Sequence, residues 1–401
     1  MVGRVHRSRQ GDCRGLPSQS VSPRSTPWGE GHPVMTPAEP RTELSTTMIP
    51  TVNPFVDQAR EFPTLSCGID RADFLRLDLS ESMMAAPPLV RDAILRVIDS
   101  QRFSAYPDDS PLYPLLADYV GVSPSQLLVT NGSDHAIQLI LRAFLSPGDQ
   151  LQVIDPSFPI YAHVARTLGA EVRCVPLESD FSFSAERFIE AMDQGPRLCV
   201  LVNPNNPTGT LIPLESIRAV AAARPGPLIV DEAYYEYAGI TAVSLLAAHP
   251  NIIVTRTFSK AFGLAGLRLG YVVAHPEIVR QLRKLRLPFD VNAFAVSAAT
   301  GHFSDLSIMR RYVRAIVSEA KPQLLRFFDG SGVKVFPSAA NFVLVDLSQR
   351  DHVVQRLRAN GVLVAPQAHA RLASAVRIAI PIPEQLSRFQ TAFTSALDAS
   401  A

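Results

Sequence analysis

A lysine with apolar neighbours is the first candidate for chemistry in this sequence. Lys260 lies in the stretch FSKAFGL, among aromatic, alanine and leucine side chains. A lone lysine normally lies on the surface, where water solvates its charge. The apolar flanks, and an arginine eight positions later (Arg268), indicate instead a lysine that is shielded from water. Such a lysine can act as a nucleophile, because desolvation lowers the pKa of its amine.

Acidic and amide side chains follow two other apolar runs. The run PLIV leads to Asp231, with Tyr234 three positions later, and the run LCVLV leads to Asn206 in NPNNPTG. Asp231 is either a helix cap or the partner of a buried cation. The amide belongs either to a polar turn or to a ligand site that holds it toward an oxygen, and the motif favours the second.

Two further stretches suit a flat, phosphorylated ligand. In TNGSDHAIQL, a turn leads into a helix, so Ser133 and Asp134 lie where free N–H groups and the helix dipole favour a phosphate. A plain helix cap is the alternative. In DPSFPIY, Phe158 follows an apolar run and either stacks on a flat ring or belongs to the core.

These residues need a framework that places them side by side. From about residue 90, short apolar runs alternate with helical stretches, which is typical of an α/β domain with a mostly parallel sheet. Ligands bind at the carboxyl ends of strands in such sheets. After about residue 310, a long helical pattern and more strand-like runs predict a smaller α+β domain. In LRLGYVVAH, a period of two places Arg268 and Gly270 on one face of a strand.

Four segments are expected along the chain. Residues 1–47 are rich in Arg, Ser, Pro and Gly and lack hydrophobic periodicity, which predicts a disordered extension. Translation from Met48 is the main alternative; the arginine content also permits a transit peptide, although the acidic residues argue against it. Residues 48–90 are expected to form an N-terminal arm that packs with the small domain. Residues 91–310 are predicted to form the large domain, and residues 311–401 the small C-terminal domain.

Composition limits the class of protein. Lysine plus arginine (38) nearly equals aspartate plus glutamate (37), so neither nucleic acid nor a membrane surface is expected as a partner. No apolar run has the length of a transmembrane helix. The four cysteines form no CxxC pair and show no metal-ligand spacing with histidine, so we expect a reduced, cytoplasmic protein without a metal site.

An amine, a carboxylate, an amide, a phenol and a phosphate-type helix start together suit one cofactor. Pyridoxal 5'-phosphate needs an amine for a Schiff base, an acid for its ring nitrogen and a cradle for its phosphate. From residue 48 to residue 401 the sequence resembles the fold-type I, class I/II aminotransferases that use this cofactor, most closely the histidinol-phosphate aminotransferase-like branch. The resemblance rests on these motifs in this order: YPD (106–108), NGSD (131–134), NPNNPTG (203–209), VDEAY (230–234), SKAFGLAGLRLGY (259–271), PFDVN (288–292), SAANF (338–342) and VRIAI (376–380).

The resemblance implies a role for each motif residue. Catalysis falls to Lys260, which binds the cofactor aldehyde and moves a proton, with Asp231 at the ring nitrogen and Tyr234 at the ring oxygen. The expected substrate contacts are Arg377, for the α-carboxylate, and Asn341. The family also implies a homodimer, in which one cofactor contact comes from the neighbouring subunit. The implied cofactor contacts are Ser133, Asp134, Phe158, Asn206, Asp231, Tyr234, Thr257, Ser259, Lys260, Arg268 and the neighbour's tyrosine, Tyr106.

Departures from the family pattern concern the substrate. The strand GVLV runs into Ala365, where the branch usually carries an arginine that reads the substrate phosphate; Arg371 and His369 are the candidate substitutes. The amino-terminal substrate motif reads SESM (80–83), and His135 replaces the usual acidic residue after GSD. The cofactor contacts match the family while the substrate contacts differ, which predicts a substrate other than histidinol phosphate. Ala365, Met83 and Met84 favour an apolar or aromatic side chain, and a polar one bound by Asp290 or His135 is the alternative.

We therefore expect an enzyme that transfers an amino group between an L-α-amino acid, or a related amine, and a 2-oxo acid. A decarboxylase for phosphothreonine-like substrates, or a cyclase or lyase on the same fold, is the alternative, because a fold does not fix the reaction. A cofactor-sensing transcription regulator would need a DNA-binding module, and the first 47 residues have no helix-turn-helix pattern.

Overall fold

One seven-stranded sheet carries most of the residues singled out above. The computed structural model describes residues 51–61, 70–224 and 226–398. Its contacts divide the chain between Thr51 and Val52, and the second of these units is the one described below. The extension predicted for residues 1–47 lies outside the described residues, as do Cys13 and Cys67.

The strands are short, and the central ones are wholly buried. Every residue of the strands at 198–202 and 228–231 is buried, as expected for parallel strands that are covered on both faces. The strands of the described residues are, in chain order, β1 (Leu75–Arg76), β2 (Leu127–Thr130), β3 (Gln150–Asp155), β4 (Glu171–Pro176), β5 (Leu198–Val202), β6 (Leu228–Asp231), β7 (Ile252–Thr257), β8 (Gly270–Ala274), β9 (Lys334–Phe336), β10 (Phe342–Asp346), β11 (Val362–Leu363), β12 (Ala365–Pro366) and β13 (Ala375–Ala379).

The direction of the strands in the large sheet determines where the polar residues meet. The order is β2-β8-β7-β6-β5-β3-β4. Pairing is parallel from β7 through β4, and β8 is antiparallel to both of its neighbours. The prediction of an α/β fold with a mostly parallel sheet is confirmed. The carboxyl ends of β2, β3, β5, β6 and β7 therefore lie at one edge, together with the start of β8.

Helices cover this sheet and connect its strands. The α-helices of the described residues are α1 (Pro54–Asp57), α2 (Pro88–Asp99), α3 (Leu112–Val120), α4 (Gly132–Phe144), α5 (Pro159–Thr167), α6 (Ala185–Glu190), α7 (Leu214–Ala223), α8 (Tyr235–Ala238), α9 (Pro276–Leu282), α10 (Ala293–Ser304), α11 (Ser307–Arg314), α12 (Lys321–Gly330), α13 (Arg350–Ala359) and α14 (Pro383–Asp398). Helix α2 packs closely on α10, where a Cβ at Gly301 would lie 2.7 Å from the backbone oxygen of Leu89. None of the helices in the described part is long and apolar enough to cross a bilayer.

A smaller antiparallel sheet follows in the last quarter of the chain. Its order is β12-β13-β10-β9, and Arg377 in β13 lies opposite Ala365 in β12. Two residues earlier in the same run, β11 pairs instead with β1, so the predicted GVLVAP strand is divided between two sheets. The long helical pattern after residue 306 forms α11, a π-helical segment (Ala315–Ala320) and α12. The domain boundaries at residues 90 and 310 stay a prediction.

The prediction that Arg268 lies in a strand is wrong. Residues Ala265–Leu267 form a 3-10 turn, Arg268 has a φ of 54°, and β8 begins only at Gly270. The chain must reverse here because β8 runs antiparallel to β7. Gly270 also passes so close to α4 that a Cβ on it would lie 2.7 Å from the backbone nitrogen of Ser133. The turn, not a strand face, directs the Arg268 side chain.

Candidate active site

Lys260 lies in the turn that follows β7. Its Nζ donates a hydrogen bond to the backbone oxygen of Leu79, 2.8 Å away, and lies 5.7 Å from the centre of the Tyr234 ring. Burial, followed by the charge of Arg377, lowers the pKa of the Lys260 amine to about 8. Arg268, the neighbour that the sequence suggested, contributes less than Arg377. An amine with this pKa is partly neutral near pH 7 and can act as a nucleophile.

Asp231 ends β6 and is almost fully buried. Its Oδ2 accepts a hydrogen bond from the Tyr161 hydroxyl at 2.9 Å, and its Oδ1 accepts one from the Ala233 N–H at 3.1 Å. Burial raises the pKa of Asp231 to about 6, and these hydrogen bonds oppose the rise. The carboxyl group therefore stays mainly ionised at pH 7 and provides a buried negative charge for a cationic partner.

The start of α4 forms an anion cradle with the turn before β8. Asn131 makes no capping hydrogen bond with its side chain, so the first N–H groups of the helix stay open to a ligand. Gly132 has a φ of 79°, and a Cβ on it would lie 2.7 Å from Nη2 of Arg268. That nitrogen pairs with Oδ2 of Asp134 at 2.8 Å, and both side chains are about half exposed.

Two hydroxyl groups complete this cradle. Thr257, at the end of β7, donates a hydrogen bond from its Oγ1 to Oγ of Ser259 at 3.0 Å. The same Oγ1 accepts a hydrogen bond from the Ser259 N–H at 3.1 Å. Both hydroxyls lie within three positions of Lys260, at the end of β7 and in the turn that follows it, so one backbone segment holds the amine and these hydroxyls.

Arg377 is oriented by two oxygen acceptors. Its Nη1 donates to Oδ1 of Asn206 at 2.5 Å, and its Nη2 donates to the backbone oxygen of Asp78 at 2.6 Å. The guanidinium carbon lies 5.4 Å from the centre of the Phe342 ring. The Nε of Arg377 is buried without a hydrogen-bond partner. A buried donor of this kind is costly unless a ligand oxygen binds it, and a carboxylate would do so.

A short segment, residues 78–82, crosses the site and is called the strap below. In addition to the bonds from Arg377 and Lys260, the strap receives a hydrogen bond from Nδ2 of Asn341 to the backbone oxygen of Ser80, at 3.2 Å. Three successive carbonyl groups thus each meet a different side chain of the site. These contacts cannot be read from the sequence, because any residue type provides a carbonyl oxygen.

The two aromatic residues of the predicted cofactor contacts lie in different surroundings. Phe158 is half-buried just before α5 and meets the Tyr161 ring edge-on, with the ring centres 6.5 Å apart. Tyr106 is 79% exposed and stacks on Phe289, with 4.1 Å between the ring centres. Its place at the surface is compatible with a contact to a second subunit.

The residues present fit a phosphorylated pyridine aldehyde. The uncapped start of α4, beside Arg268, suits the phosphate, and the buried carboxylate of Asp231 suits a protonated ring nitrogen. The amine of Lys260, with its lowered pKa, suits the aldehyde. Among the described residues, no group of three or more His, Cys, Asp or Glu side chains is arranged to hold a metal ion.

Comparison with known proteins decides the family. The sequence profile of the family "Aminotransferase class I and II" matches residues 74–393. The chain belongs to the aminotransferase class I and II family. The predicted family, the predicted fold and the prediction of an aminotransferase are thereby confirmed.

Several relatives within the family are histidinol-phosphate aminotransferases. That of Thermoanaerobacter sp. (strain X514) is 36% identical over 292 residues, which cover 72% of this chain and 83% of the relative. That of Geobacillus sp. (strain WCH70) is 34% identical over 337 residues, covering 81% and 90%. The crystal structure of the Sinorhizobium meliloti enzyme, in complex with pyridoxal-5'-phosphate, has a TM-score of 0.81 at 26% identity and covers 89% of this chain and 100% of that one.

The two side chains suggested as substitutes for the missing phosphate-binding arginine of this aminotransferase are already engaged. Arg371 donates from Nη1 and Nη2 to the backbone oxygens of Asp155, Leu177 and Glu178, at 2.8–3.0 Å. His369 Nε2 lies 3.0 Å from Oδ1 of Asp155. Both side chains tie the loop after β12 to the end of β3.

Sequence reasoning missed two groups that support the site. Tyr161, whose hydroxyl binds Asp231, stands three positions after Phe158, one helical turn along α5; that spacing was the available signal. The other group is a buried ion pair in which Nε and Nη2 of Arg256 lie 3.0 and 2.9 Å from Oε2 of Glu232. Glu232 follows Asp231 in the chain and Arg256 precedes Thr257, but only the fold brings the two charges together.

Proposed function

We propose that this aminotransferase uses pyridoxal 5'-phosphate to transfer an amino group between an L-α-amino acid and a 2-oxo acid, with Lys260 as the residue that binds the cofactor. One observation carries the proposal: the amine of Lys260 is buried, has a pKa lowered to about 8, and lies within the electrostatic reach of a carboxylate-binding arginine, Arg377. The predicted cofactor is confirmed by the family and by the cofactor-bound structure of a member.

Each side chain then has a defined task. The bound cofactor supplies an electron sink for the charge that develops at the substrate α-carbon. Asp231 keeps the proton on the ring nitrogen, since a buried carboxylate favours a cation beside it. Arg377 binds the α-carboxylate with its open Nε and a terminal nitrogen. Lys260 removes the proton from the α-carbon, because a base with a pKa near the working pH is the most effective.

The remaining predicted contacts surround the cofactor. We place the phosphate at the N–H groups of Ser133 and Asp134, at the hydroxyls of Thr257 and Ser259, and at Arg268. Supporting this, the two hydroxyls and the amine lie within residues 257–260, and Thr257 pairs with Gly270, which packs against the start of α4. Three further predicted contacts are assigned to the ring: Phe158 at its face, and Asn206 and Tyr234 at its oxygen.

The substrate side chain is proposed to be uncharged. A second anionic group on the substrate would need a second cation near Arg377. Arg371 is bound to three backbone oxygens, and His369 is bound to a carboxylate. The residue opposite Arg377 in the small sheet is Ala365, which carries no charge. An apolar or aromatic amino acid therefore fits better than a phosphorylated amine.

The proposed assembly is a homodimer in the cytoplasm. Next to the exposed ring pair of Tyr106 and Phe289 in the chain, Phe103 and Leu287 are also exposed, which makes this an apolar group at the surface. An apolar patch of this kind is typical of a protein–protein interface. We place a second copy on it, so that Tyr106 reaches the neighbouring cofactor. The free Cys174 and Cys199 suit a reducing compartment.

The experiment that tests the function has two steps. Borohydride reduction of the purified, cofactor-loaded protein, followed by peptide mapping, should attach the cofactor to Lys260, and Lys260→Ala should stay unlabelled. A panel of amino donors should then convert the bound cofactor to its amine form, and 2-oxoglutarate should reverse the change. Release of carbon dioxide without an oxo acid would favour the decarboxylase instead. Labelling at another lysine would contradict the proposal.

A further inference from the structure

The strap is fixed to the rest of the protein at both of its ends. At one end, the Leu77 N–H donates to the Leu363 oxygen, and the Leu77 oxygen accepts from the Ala379 N–H, both at 2.8 Å. At the other end, the Met83 N–H donates to the Tyr312 hydroxyl at 3.3 Å. Between these anchors lie five residues, and the carbonyl groups of the first three bind side chains of the site.

Between its anchors the strap adopts a conformation that its residues do not favour. Ser80 is fully buried and has a φ of 53°. The left-handed region is unfavourable for a residue other than glycine, because its Cβ crowds the backbone. Contacts from outside the strap must therefore stabilise this conformation, and the hydrogen bond from Asn341 to the Ser80 oxygen is one of them.

A single arginine binds both sides of this strained residue. Nη2 of Arg71 lies 2.6 Å from Oδ1 of Asp78. Nη1 and Nη2 of Arg71 also lie 3.2 and 3.3 Å from the two carboxylate oxygens of Glu81. Only 18% of the Arg71 side chain is exposed, so this two-pronged contact is partly shielded from water. Arg76, at 3.9 Å from Glu81, is a weaker second partner.

We propose that Arg71 is a positioning residue of the active site: by clamping Asp78 and Glu81, it holds the strap so that the carbonyl of Asp78 orients Arg377 for the substrate carboxylate. The kinetic part of this inference rests on the proposed function. The hydrogen bonds of Arg71 go to Asp78 and Glu81 of the strap, and not to Lys260 or Arg377. Arg71 acts through the strap, because the Nη2 of Arg377 that binds the Asp78 oxygen is fixed only as firmly as the strap itself.

The clamp also controls the charge beside Lys260. The charges that act most strongly on the amine come from four groups: Arg377 and Arg268 lower its pKa, while Glu81 and Asp134 raise it; the Tyr234 ring lies 5.7 Å away. The guanidinium of Arg71 partly neutralises Glu81. Loss of Arg71 should therefore raise the pKa of the lysine nitrogen, whereas loss of the Glu81 charge should lower it.

This opposition of sign provides a test that a merely structural role would not pass. In the cofactor-loaded, full-length protein, the pH midpoint of the cofactor absorbance change should rise in Arg71→Met and fall in Glu81→Gln. Each shift should be roughly half a pH unit, the scale of one partly screened charge. Arg71→Lys keeps the positive charge but loses the contact through two nitrogens. Its pH midpoint should therefore equal that of the wild type, while the strap should still be loosened.

Hydrogen exchange measures the strap directly. In Arg71→Met, amide exchange in the peptide covering residues 77–84 should become about tenfold faster, and KM for the amino donor should rise by a similar factor while kcat changes less. Arg280→Met removes an arginine from an exposed pair with Glu277 and is the matched control, with no change expected in any readout.

Two results would overturn the proposal: shifts of the midpoint in the same direction for Arg71→Met and Glu81→Gln, or unchanged exchange in residues 77–84. If Arg71→Met does not fold, two variants replace it: Glu81→Gln should still lower the midpoint, and Arg71→Lys should still speed the exchange of residues 77–84 while leaving the midpoint unchanged; a raised midpoint in the first or unchanged exchange in the second would overturn the proposal. Failure of the wild-type protein to bind the cofactor would refute the proposed function, while the exchange measurement would still decide whether Arg71 holds the strap.

Discussion

The two sides of the active site are built in different ways. On the sheet side, Asp231 and Thr257 end neighbouring buried strands whose backbones are paired along their length. On the strap side, Asp78 and Arg377 are separated by 299 positions in the chain, and their contact is supported by half-buried ion pairs. Under the proposed function, the cofactor would be held by strand ends with continuous backbone pairing, whereas the substrate would meet contacts that depend on a few side-chain bonds.

The buried ion pair beneath the sheet side is expected to give the largest effect. Glu232→Gln leaves the Arg256 charge buried without its partner, which should lower the free energy of unfolding by about 3–5 kcal/mol. Urea denaturation measures this. Glu277→Gln, in the exposed pair with Arg280, is the control and should change stability far less. Equal effects of the two substitutions would contradict a rigid sheet side.

Removal of the charge from Asp231 is expected to give the next largest effect. Asp231→Asn keeps the size of the side chain but loses the charge, so kcat/KM should fall by about a hundredfold to a thousandfold. Tyr161→Phe removes only one hydrogen bond to Asp231 and should cost less. Steady-state kinetics, with the bound cofactor quantified by absorbance, provides the measurement. Full activity of Asp231→Asn would show that Asp231 has no role in the reaction.

Substitution on the strap side should act on substrate binding. Arg377→Lys keeps the charge but cannot bind a carboxylate with two nitrogens, so kcat/KM should fall by about tenfold to a hundredfold, chiefly through KM. Arg280→Lys, on the surface, is the matched control. An effect confined to kcat would place Arg377 on the cofactor side and so break the distinction between the two sides.

The pH dependence of cofactor uptake should give the smallest effect. In cofactor-free protein, the neutral amine of Lys260 is the reactive form, so the uptake rate should rise with pH through a midpoint near 8. Arg377→Met should move this midpoint upward, because the charge of Arg377 lowers the pKa of the lysine. Stopped-flow absorbance measures it. A wild-type midpoint near 10.5, the ordinary lysine value, would contradict the burial of the amine.

The sequence predicted the site best where a functional residue directly follows an apolar, strand-like run. Asp231 and Thr257 could be placed at one edge because each follows an apolar run, and parallel strands bring their carboxyl ends together. Arg268 was placed wrongly on a strand, because a period of two also fits a turn followed by a strand. Tyr161 was missed, since a tyrosine in a helix is usually core.

The sequence by itself determined the family, the cofactor chemistry and the sheet side, because those depend on residue types at the ends of successive strands. The contacts on the strap side could be seen only in the tertiary structure. These contacts join backbone carbonyls of residues 78–80 to Arg377 and Asn341, and carbonyl oxygens carry no signature in a sequence. The pKa of Lys260 was likewise decided by the fold, since burial and the charge of Arg377 reach the amine only through space.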